Sequence, residues 1–561
     1  MRFLVKCLGA RAVALSPPLR IRIPRPFSLP FLTTCESPLP EESSTEPSSS
    51  SSAAAAADGD DGDKELGGGV DSLSARVEML RRGESVVGAF QSWMGEGSPV
   101  HRGHVFHAIN RLRKRGMNRR ALEVMEWVMR ERPYKLTELD YSYLLEFTAK
   151  LHGMSQGESL FLRIPHEYQN QLLYNNLVMA SLDRGLIKLS YGYMRKMREL
   201  AFPISPYVYN RLIVLHSSPG RRKTIPKILR QMKADGVSPH TSTYNILLKV
   251  QAKEHNIDGM SKVFDDMKGA SVEPNEITYG ILAIAHAVAR LYTVSRTYIE
   301  AIEQSKTGNN WSTLDILLIL YGYHGKEKEL ESTWKLVQEL PHVTSKSLLL
   351  AIEAFGRVGS ISRAEEIWAE LKARGKLGST KYFNSIISAY SRHGRVEKAS
   401  EVYKEMEANG CKPNAITYRH LALGCLKAGL VGEAVETMNK GKDEAVVLKV
   451  RRSTPWLETT FMLLEAFAEI GDVEASKKLF EELKESKYCR YPFVFNALLK
   501  AYVKAKVYEP ELLNKMILGG ARPDAETHSL VRLVEQFKDD RKERRSVEAK
   551  KELRVRKQRQ S

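Results

Sequence analysis

A period of about 35 residues runs through most of this 561-residue chain and constrains its fold more than any other feature. Contiguous units of this length cover 171–205, 206–240, 241–275, 276–310, 345–379 and 380–414. The register continues, with altered or looser spacing, through 102–137, 138–170, 311–344, 415–456, 457–491 and 492–524. Chance matches do not stay in register over so many units. Residues 102–524 are therefore predicted to hold about twelve tandem copies of one small structural unit.

Each unit has the apolar pattern of two amphipathic helices, as unit 380–414 illustrates. Its first stripe at helical spacing consists of Phe383, Ile386, Ile387 and Tyr390, and its second of Ala399, Val402, Tyr403 and Met406. Gly394 separates the two stripes, and Gly410 follows the second. One helical pair cannot bury both stripes, but stacked neighbours can. The sequence therefore predicts an all-α solenoid of helix-turn-helix units.

Short motifs at the start and end of the units indicate a family. Units begin with pairs such as Tyr244-Asn245 and Phe383-Asn384, and they end with pairs such as Pro413-Asn414. The Trp-x-x-Leu-Gly-x-x-Tyr motif of tetratricopeptide repeats is absent. The units instead resemble pentatricopeptide repeats, of the plant organellar subclass with only 35-residue units and no catalytic C-terminal extension. The resemblance implies a right-handed superhelical solenoid, and residues 72–101 resemble a degenerate N-terminal helical cap.

In that family, as the resemblance implies, the fifth and last residues of each unit face one RNA base. The RNA-binding candidates carried over are Asn175/Ser205, Asn210/His240, Asn245/Asn275, Gly280/Asn310, Asn384/Asn414 and Asn496/Asp524. Apolar second residues, implied to pack on the base plane, are Leu172, Tyr207, Ile277, Ile416 and Phe493. Asparagine offers a donor and an acceptor to an unstacked base. Within the resemblance, Asn with Asn or Ser suggests a pyrimidine, with cytosine favoured, and Asn with Asp suggests uracil.

Several units depart from the family pattern at the fifth position. The departures are Gly280, Leu349 in the pair Leu349/Ser379, Arg419 and Phe461, and a further pair is Asp315/Thr344. They make a continuous base code doubtful, so pyrimidine preference is predicted only at scattered positions. The alternative interpretation is that the asparagines merely cap or turn the chain at helix starts.

The charge pattern divides the chain further. Residues 1–35 carry six basic and no acidic residues, which predicts a transit peptide for mitochondria, with chloroplasts as the alternative. Residues 36–71 are rich in Ser, Ala, Asp and Gly and are expected to be a disordered low-complexity linker. Residues 525–561 are expected to be a basic C-terminal extension. Residues 72–537 alone carry a net charge of +15, which favours a polyanionic partner.

No pattern of an active site was found. The five cysteines form no CxxC pair, no phosphate-binding Gly-x-x-x-x-Gly-Lys-Ser/Thr motif occurs, and His104 and His107 lack a third ligand. We therefore expect no enzyme, no metal and no cofactor. No apolar run approaches the roughly 20 residues of a membrane helix, so no membrane insertion is expected.

These observations predict a monomeric, sequence-selective binder of single-stranded organellar RNA. It would support transcript stability, processing, splicing or translation without catalysis, with ribosomal or splicing proteins as further partners. The alternative is a structural or accessory component of the mitochondrial ribosome or of another organellar protein–RNA assembly. A third option is a helical array that binds peptides only, for which no RNA binding that falls with salt is expected.

Overall fold

The computed structural model describes residues 72–538, except for 82, 219, 306–310, 342, 376 and 444–453. Four expectations lie wholly or partly outside the described residues: the transit peptide 1–35, the linker 36–71, the candidate Asn310 and most of the C-terminal extension. In the described part of the chain, all regular secondary structure is helical and no strand occurs. The expected all-α solenoid of helical pairs is confirmed.

Each repeat consists of a first and a second helix joined by a short turn. Two helices precede the repeats, α1 (Leu73–Met79) and α2 (Val86–Gly95). The first helices are α3 (Arg102–Lys114), α5 (Glu138–His152), α7 (Gln171–Asp183), α9 (Pro206–His216), α11 (Thr241–Ala252), α13 (Glu276–Val288), α15 (Trp311–His324), α17 (Ser345–Val358), α19 (Thr380–Arg392), α21 (Ala415–Lys427), α23 (Thr454–Ile470) and α25 (Pro492–Ala505). The second helices are α4 (Asn118–Glu131), α6 (Met154–Arg163), α8 (Ile187–Glu199), α10 (Ile225–Ala234), α12 (Ile257–Gly269), α14 (Tyr292–Ser305), α16 (Glu327–Gln338), α18 (Ile361–Ala373), α20 (Val396–Ala408), α22 (Val431–Asp443), α24 (Val473–Glu485) and α26 (Leu512–Leu518). A last helix begins at 525 and is described through 538.

The boundaries of the helices follow from local chemistry. Helix α19 begins after Ser379, whose side chain accepts a hydrogen bond from the backbone N–H of Lys381. It ends before Gly394, whose φ of +65° suits the turn into α20, and Gly410 follows α20 with a φ of +71°. Glycine adopts such left-handed conformations without steric cost. The stripe predicted for the first helix is buried, with Phe383 fully enclosed.

The described residues form two compact units, 72–246 and 247–538, which we call the N-terminal and the C-terminal unit. The N-terminal unit has an apolar core that includes Phe90, Trp127 and Phe147. The core of the C-terminal unit extends from Ala283 to Val534. Each repeat buries its apolar stripes against its neighbours, as stacking requires.

Successive first helices of the C-terminal unit approach each other closely at small residues. A Cβ atom at Gly356 of α17 would lie 2.5 Å from the Cβ of Ala389 on α19. A Cβ at Gly322 of α15 would lie 2.9 Å from the Cα of Ala354 on α17. These short separations allow these first helices to pack as a layer, which carries the fifth residues of their repeats.

Two features were searched for in the residues that the structure describes, a membrane-spanning helix and a metal-binding cluster. None of the helices there is both long and apolar enough to cross a membrane. The same residues contain no group of three His, Cys, Asp or Glu side chains arranged to hold a metal ion. Cys411, Cys425 and Cys489 are buried free thiols.

Candidate nucleic-acid interface

The fifth residue of one unit and the last residue of the same unit lie next to each other in space. The last residue caps the first helix of the next repeat, which packs beside the helix that carries the fifth residue. The backbone N–H of Ser205 donates to Oδ1 of Asn175 at 2.9 Å. Nδ2 of Asn496 donates to Oδ1 of Asp524 at 3.1 Å. These residues, paired from the sequence register, therefore meet in the structure.

A threonine at the third position of the next unit links the two members of a pair. The Thr417 hydroxyl lies 2.8 Å from Oδ1 of Asn384 and 3.2 Å from Oδ1 of Asn414. The Thr527 hydroxyl lies 2.7 Å from Oδ1 of Asn496. Our sequence reasoning missed this residue, although its signal is visible in the register: Thr243, Thr278, Thr313, Thr417, Thr459 and Thr527 all occupy the third position.

The last residues do act as helix caps. Oδ1 of Asn275 accepts from the backbone N–H of Thr278 at 2.9 Å, and Oδ1 of Asn414 accepts from that of Thr417 at 3.1 Å. Burial opposes ionisation of Asp524, but hydrogen bonds from Thr527 and Asn496 outweigh it and lower the pKa of Asp524. The capping hydrogen bonds are accepted by the side-chain oxygen only. An asparagine cap therefore keeps its NH₂ group for another partner.

The pairs differ in the hydrogen-bonding capacity that remains. Nδ2 of Asn496 donates to both Asp524 and Glu526, so its two hydrogens are used within the protein. In Asn384 and Asn414, by contrast, the hydrogen bonds engage the side-chain oxygens, and neither Nδ2 has a partner among the described residues. Asn384 is buried whereas Asn414 is exposed. The amide of Asn414 is therefore the donor that lies exposed at the surface of the first-helix layer.

The pair Asn175/Ser205 resembles Asn496/Asp524 in being internally satisfied. Nδ2 of Asn175 donates to the backbone oxygens of Gln171 and Pro203 at 2.9 and 3.2 Å, while its Oδ1 is held by Ser205. These contacts fix the asparagine rather than present its polar atoms.

The pair Asn210/His240 lies beside an exposed aromatic side chain. Nδ2 of Asn210 donates to Oγ of Ser242 at 3.0 Å, and that hydroxyl lies 3.1 Å from Nδ1 of His240. Tyr207, at the second position, is 51% exposed, and its ring centroid lies 5.8 Å from that of His240. An exposed ring beside polar side chains is a suitable platform for an unstacked base.

Fifth residues that depart from the family pattern have structural partners. A Cβ at Gly280 would lie 2.9 Å from Ile316, so the helix approach there admits no larger residue. Burial raises the pKa of Asp315, opposed by Lys346 at 3.3 Å. Arg419 is fully buried and donates to the backbone oxygen of Met438 at 2.7 Å. Asn245 fits the pattern and is about as deeply buried as Asn384.

In the C-terminal unit, a side chain of a distant repeat covers Phe493, which was expected to pack on a base, and Phe461, a fifth residue that departs from the family pattern. The Arg290 guanidinium lies over the rings of Phe493 and Phe461, at 4.1 and 5.3 Å from their centroids. Arg392 forms a buried, bidentate ion pair with Glu458 at 2.8 and 3.1 Å. Other side chains of the protein thus cover Phe493, the second residue of repeat 492–524, and Phe461, the fifth residue of repeat 457–491. A 35-residue period carries no signal for such contacts.

Comparison with known proteins gives consistent matches. A model described as the PPR repeat family matches residues 239–287 and 379–427, and a model described as the pentatricopeptide repeat domain matches 194–254. A mitochondrial pentatricopeptide repeat-containing protein of Arabidopsis thaliana is 58% identical over 466 residues, 83% of this chain and 87% of the relative. The Arabidopsis thaliana large ribosomal subunit protein mL101 is 33% identical over 442 residues, 78% of this chain and 89% of that protein. The crystal structure of the maize pentatricopeptide repeat protein PPR10 aligns with a TM-score of 0.32 and 17% identity, over 85% of this chain and 78% of that one.

Proposed function

This chain belongs to the pentatricopeptide repeat family, and on that premise we propose that it binds single-stranded RNA in the mitochondrion, with base selectivity at scattered positions and without catalysis of its own. Bound along a transcript, it would protect the RNA, keep a segment unpaired for processing or splicing, or expose a site for translation. Similar proteins named as mitochondrial support the compartment, as does the basic, acid-free segment 1–35.

One observation carries this proposal: the fifth and last residues converge at the junctions between units. At Asn384/Asn414 the convergence leaves amide donors with no partner among the described residues. At Asn210/His240 it is accompanied by the exposed ring of Tyr207. Amide donors complement the N3 and O2 acceptors of cytosine. We infer that Asn384/Asn414 is a position of pyrimidine preference and that Asn496, whose two amide hydrogens are used within the protein, is not.

A binding titration tests the assignment of Asn384 and Asn414. Serine at position 414 retains the helix cap but lacks the amide, and serine at position 384 removes the second amide. We therefore expect the variant Asn384→Ser/Asn414→Ser to weaken binding of the preferred RNA by about 1–3 kcal/mol, the scale of one well-read base. The matched control is Asn409→Ser/Asn439→Ser. It changes two exposed asparagines, one directly after α20 and one within α22, and it should bind RNA as the unaltered protein does. Equal affinity of both variants in filter binding would refute base contact by this pair.

A second candidate function is favoured by two other observations. We propose as the alternative that the protein is a component of the large mitochondrial ribosomal subunit. The ribosomal protein mL101 matches over 89% of its length. In addition, Arg290 lies over Phe493, a second-position residue that a base would otherwise contact.

Crosslinking in mitochondria, combined with sedimentation, separates the two candidates. One or two sharp footprints on messenger RNA, with the protein sedimenting apart from ribosomes, would support the transcript binder. Crosslinks to ribosomal RNA, with the protein sedimenting with the large subunit, would support the ribosomal role. Absence of any RNA crosslink would contradict both.

A further inference from the structure

The basic charge of this protein is concentrated in the N-terminal unit. Residues 72–246 contain 27 Lys and Arg against 14 Asp and Glu, whereas residues 247–537 contain 40 against 38. Within the N-terminal unit, residues 184–235 alone hold 12 basic residues and two acidic ones, Glu199 and Asp235. The excess therefore arises from two consecutive repeats.

Much of this charge lies on the second helices of those repeats, α8 and α10. Their buried faces contain residues such as Met194 and Met197 on α8 and Ile228 and Met232 on α10. The opposite faces, together with the turn before α10, carry exposed cations. We call these residues the α8–α10 patch: Lys188, Arg195, Lys196, Lys223, Lys227 and Arg230.

The two helices are held side by side by an ion pair at their C-terminal ends. Arg198 of α8 donates to both carboxylate oxygens of Asp235 at 2.8 Å. This pair lowers the pKa of Asp235, with the hydrogen bond from Arg198 as the main cause. Asp235 is thus already neutralised by a residue outside the patch. The ion pair therefore joins the C-terminal ends of two neighbouring second helices that both carry exposed cations.

Most cations of the patch have no acidic partner. Arg195 lies 3.7 Å from Glu199, and both side chains are largely exposed. For the other five, no carboxylate of the described residues lies within ion-pairing distance. Lys223, Lys227 and Arg230 follow each other at helical spacing, where like charges repel. Lys223 and Lys227 also lie near the N-terminal end of α10, where the helix dipole disfavours cations. The fold gains nothing from this arrangement, whereas a bound polyanion would relieve both costs.

The chemistry of the patch indicates which part of a nucleic acid it fits. Lysine and arginine contact phosphates, and each neutralised phosphate makes binding more sensitive to salt. Binding of unpaired bases by contrast uses aromatic stacking. Among the described residues of α8 and α10, no exposed position holds an aromatic side chain. The paired residues Asn175/Ser205 and Asn210/His240 belong to first helices, whereas the patch belongs to second helices and the turn before α10.

We propose that the α8–α10 patch binds the phosphate backbone of RNA without regard to base sequence, as a second contact surface in the second-helix layer. The proposal rests on the proposed function in that it assumes RNA as the ligand. It assigns affinity to the patch and base selectivity to the first helices.

The test uses the full chain with the variant Lys223→Gln/Lys227→Gln/Arg230→Gln. Fluorescence anisotropy would measure binding of an oligouridylate and an oligocytidylate of equal length over a series of KCl concentrations. We expect affinity for both RNAs to fall about tenfold. The slope of log affinity against log salt should decrease by about two, since each lost phosphate contact removes roughly 0.7 on a single strand. The melting temperature should not fall, because the three side chains are exposed and unpaired.

The matched control is Lys262→Gln/Lys335→Gln/Lys404→Gln, which removes the same charge from exposed positions of the C-terminal unit. If both triple variants weaken RNA binding equally, the effect is one of net charge, and the proposal for the α8–α10 patch is overturned. Unchanged RNA binding by the patch variant would overturn it as well, and loss of binding to polyglutamate alone would assign the surface to an acidic protein. These results leave the proposed function standing if Asn384→Ser/Asn414→Ser still alters binding of the preferred RNA. Failure of the unaltered chain to bind either RNA would reject both proposals.

Discussion

Asn414 shows how one side chain can serve two purposes. Its Oδ1 caps α21 by accepting from the backbone N–H groups of Ile416 and Thr417 at 3.0 and 3.1 Å, and its Nδ2 has no partner among the described residues. Aspartate caps a helix as well as asparagine does, but it can only accept hydrogen bonds from a base. Asn414→Asp should therefore keep the fold and change the base that is preferred.

We expect Asn414→Asp to shift the preference at one nucleotide from cytosine, whose N3 accepts, towards uracil, whose N3–H donates. Competition between RNAs that differ at that nucleotide would measure the shift, with about 1–3 kcal/mol of relative discrimination as the upper range. Asn409→Asp, at an exposed second-helix position, is the control for the added negative charge. A uniform loss of affinity in both variants, without a change in preference, would mean that Asn414 does not face a base.

At the scale of residues, the sequence predicted which side chains lie next to each other but not which of their hydrogen-bonding groups remain free. The register predicted which residues pair, and the structure brings together Asn175 with Ser205 and Asn496 with Asp524. It could not predict that the Asn496 amide would be saturated by Asp524 and Glu526. Hydrogen-bond saturation depends on rotamers and on the side chains of the next unit, and identical residues in identical registers differ in both.

At the scale of the helices, the close approach of α17 and α19 depends on Gly356. A Cβ added there would lie 2.5 Å from the Cβ of Ala389 and 2.9 Å from its Cα. The atoms in the way belong to backbone and to a methyl group that cannot rotate aside, so the two helices would have to separate. We expect Gly356→Ala to lower the free energy of unfolding by about 1–3 kcal/mol, the usual cost of overpacking.

Gly192 provides the comparison, because it lies within α8 and a Cβ there would meet no atom within 4 Å. Gly192→Ala should stabilise the protein by roughly 0.5–1 kcal/mol through helix propensity. Urea unfolding of the two variants would measure both changes. Stabilisation by both substitutions would show that the first helices can separate without cost and that their tight packing is not required.

The helical pairs themselves were predictable, since apolar stripes and turn glycines such as Gly394 and Gly410 are local signals. The close packing at Gly280 was not predictable. By its register this glycine is a base-facing candidate, and its lack of space beside Ile316 emerges only when two repeats are stacked. Propensity and periodicity describe a single repeat, whereas the distance between repeats depends on side chains of both.

At the scale of the whole molecule, the C-terminal unit is closed by contacts between repeats more than 200 residues apart. Nδ1 of His255 lies 3.1 Å from the Tyr491 hydroxyl, with a sequence separation of 236 residues. Lys487 pairs with Glu254 at 2.8 Å beside it. No repeat pattern predicts which distant repeats meet, because that depends on small rotations summed over many units.

The buried histidine at this contact makes the free energy of unfolding depend on pH. Burial, and secondarily the charge of Arg490, lowers the pKa of His255 to about 4, so the folded state holds the neutral ring. Tyr488, Tyr491 and Arg490 face it, and burial of the two tyrosines raises their pKa values, so they stay neutral in the same range. A histidine whose pKa falls on folding stabilises the protein fully above its unfolded value near 6.5, and this contribution is lost as the pH falls from there towards 4. His420, also buried with a pKa of about 3, acts in the same direction.

We therefore expect the free energy of unfolding to decrease by about 2 kcal/mol per buried histidine between pH 7.5 and pH 5, at roughly 1.4 kcal/mol per unit of pKa difference. The variant His255→Asn removes one titrating group, and asparagine tolerates the left-handed backbone at this position, where φ is 52°. Its urea midpoint should depend less on pH than that of the unaltered protein, while both fall as the pH falls. His393→Asn is the control, because His393 contacts the backbone oxygen of Gly356 rather than a distant repeat. His255→Asn and the unaltered protein could instead lose stability in parallel on acidification. Protonation of His255 would then not control the contact between the distant repeats, which would be held together by the other contacts alone.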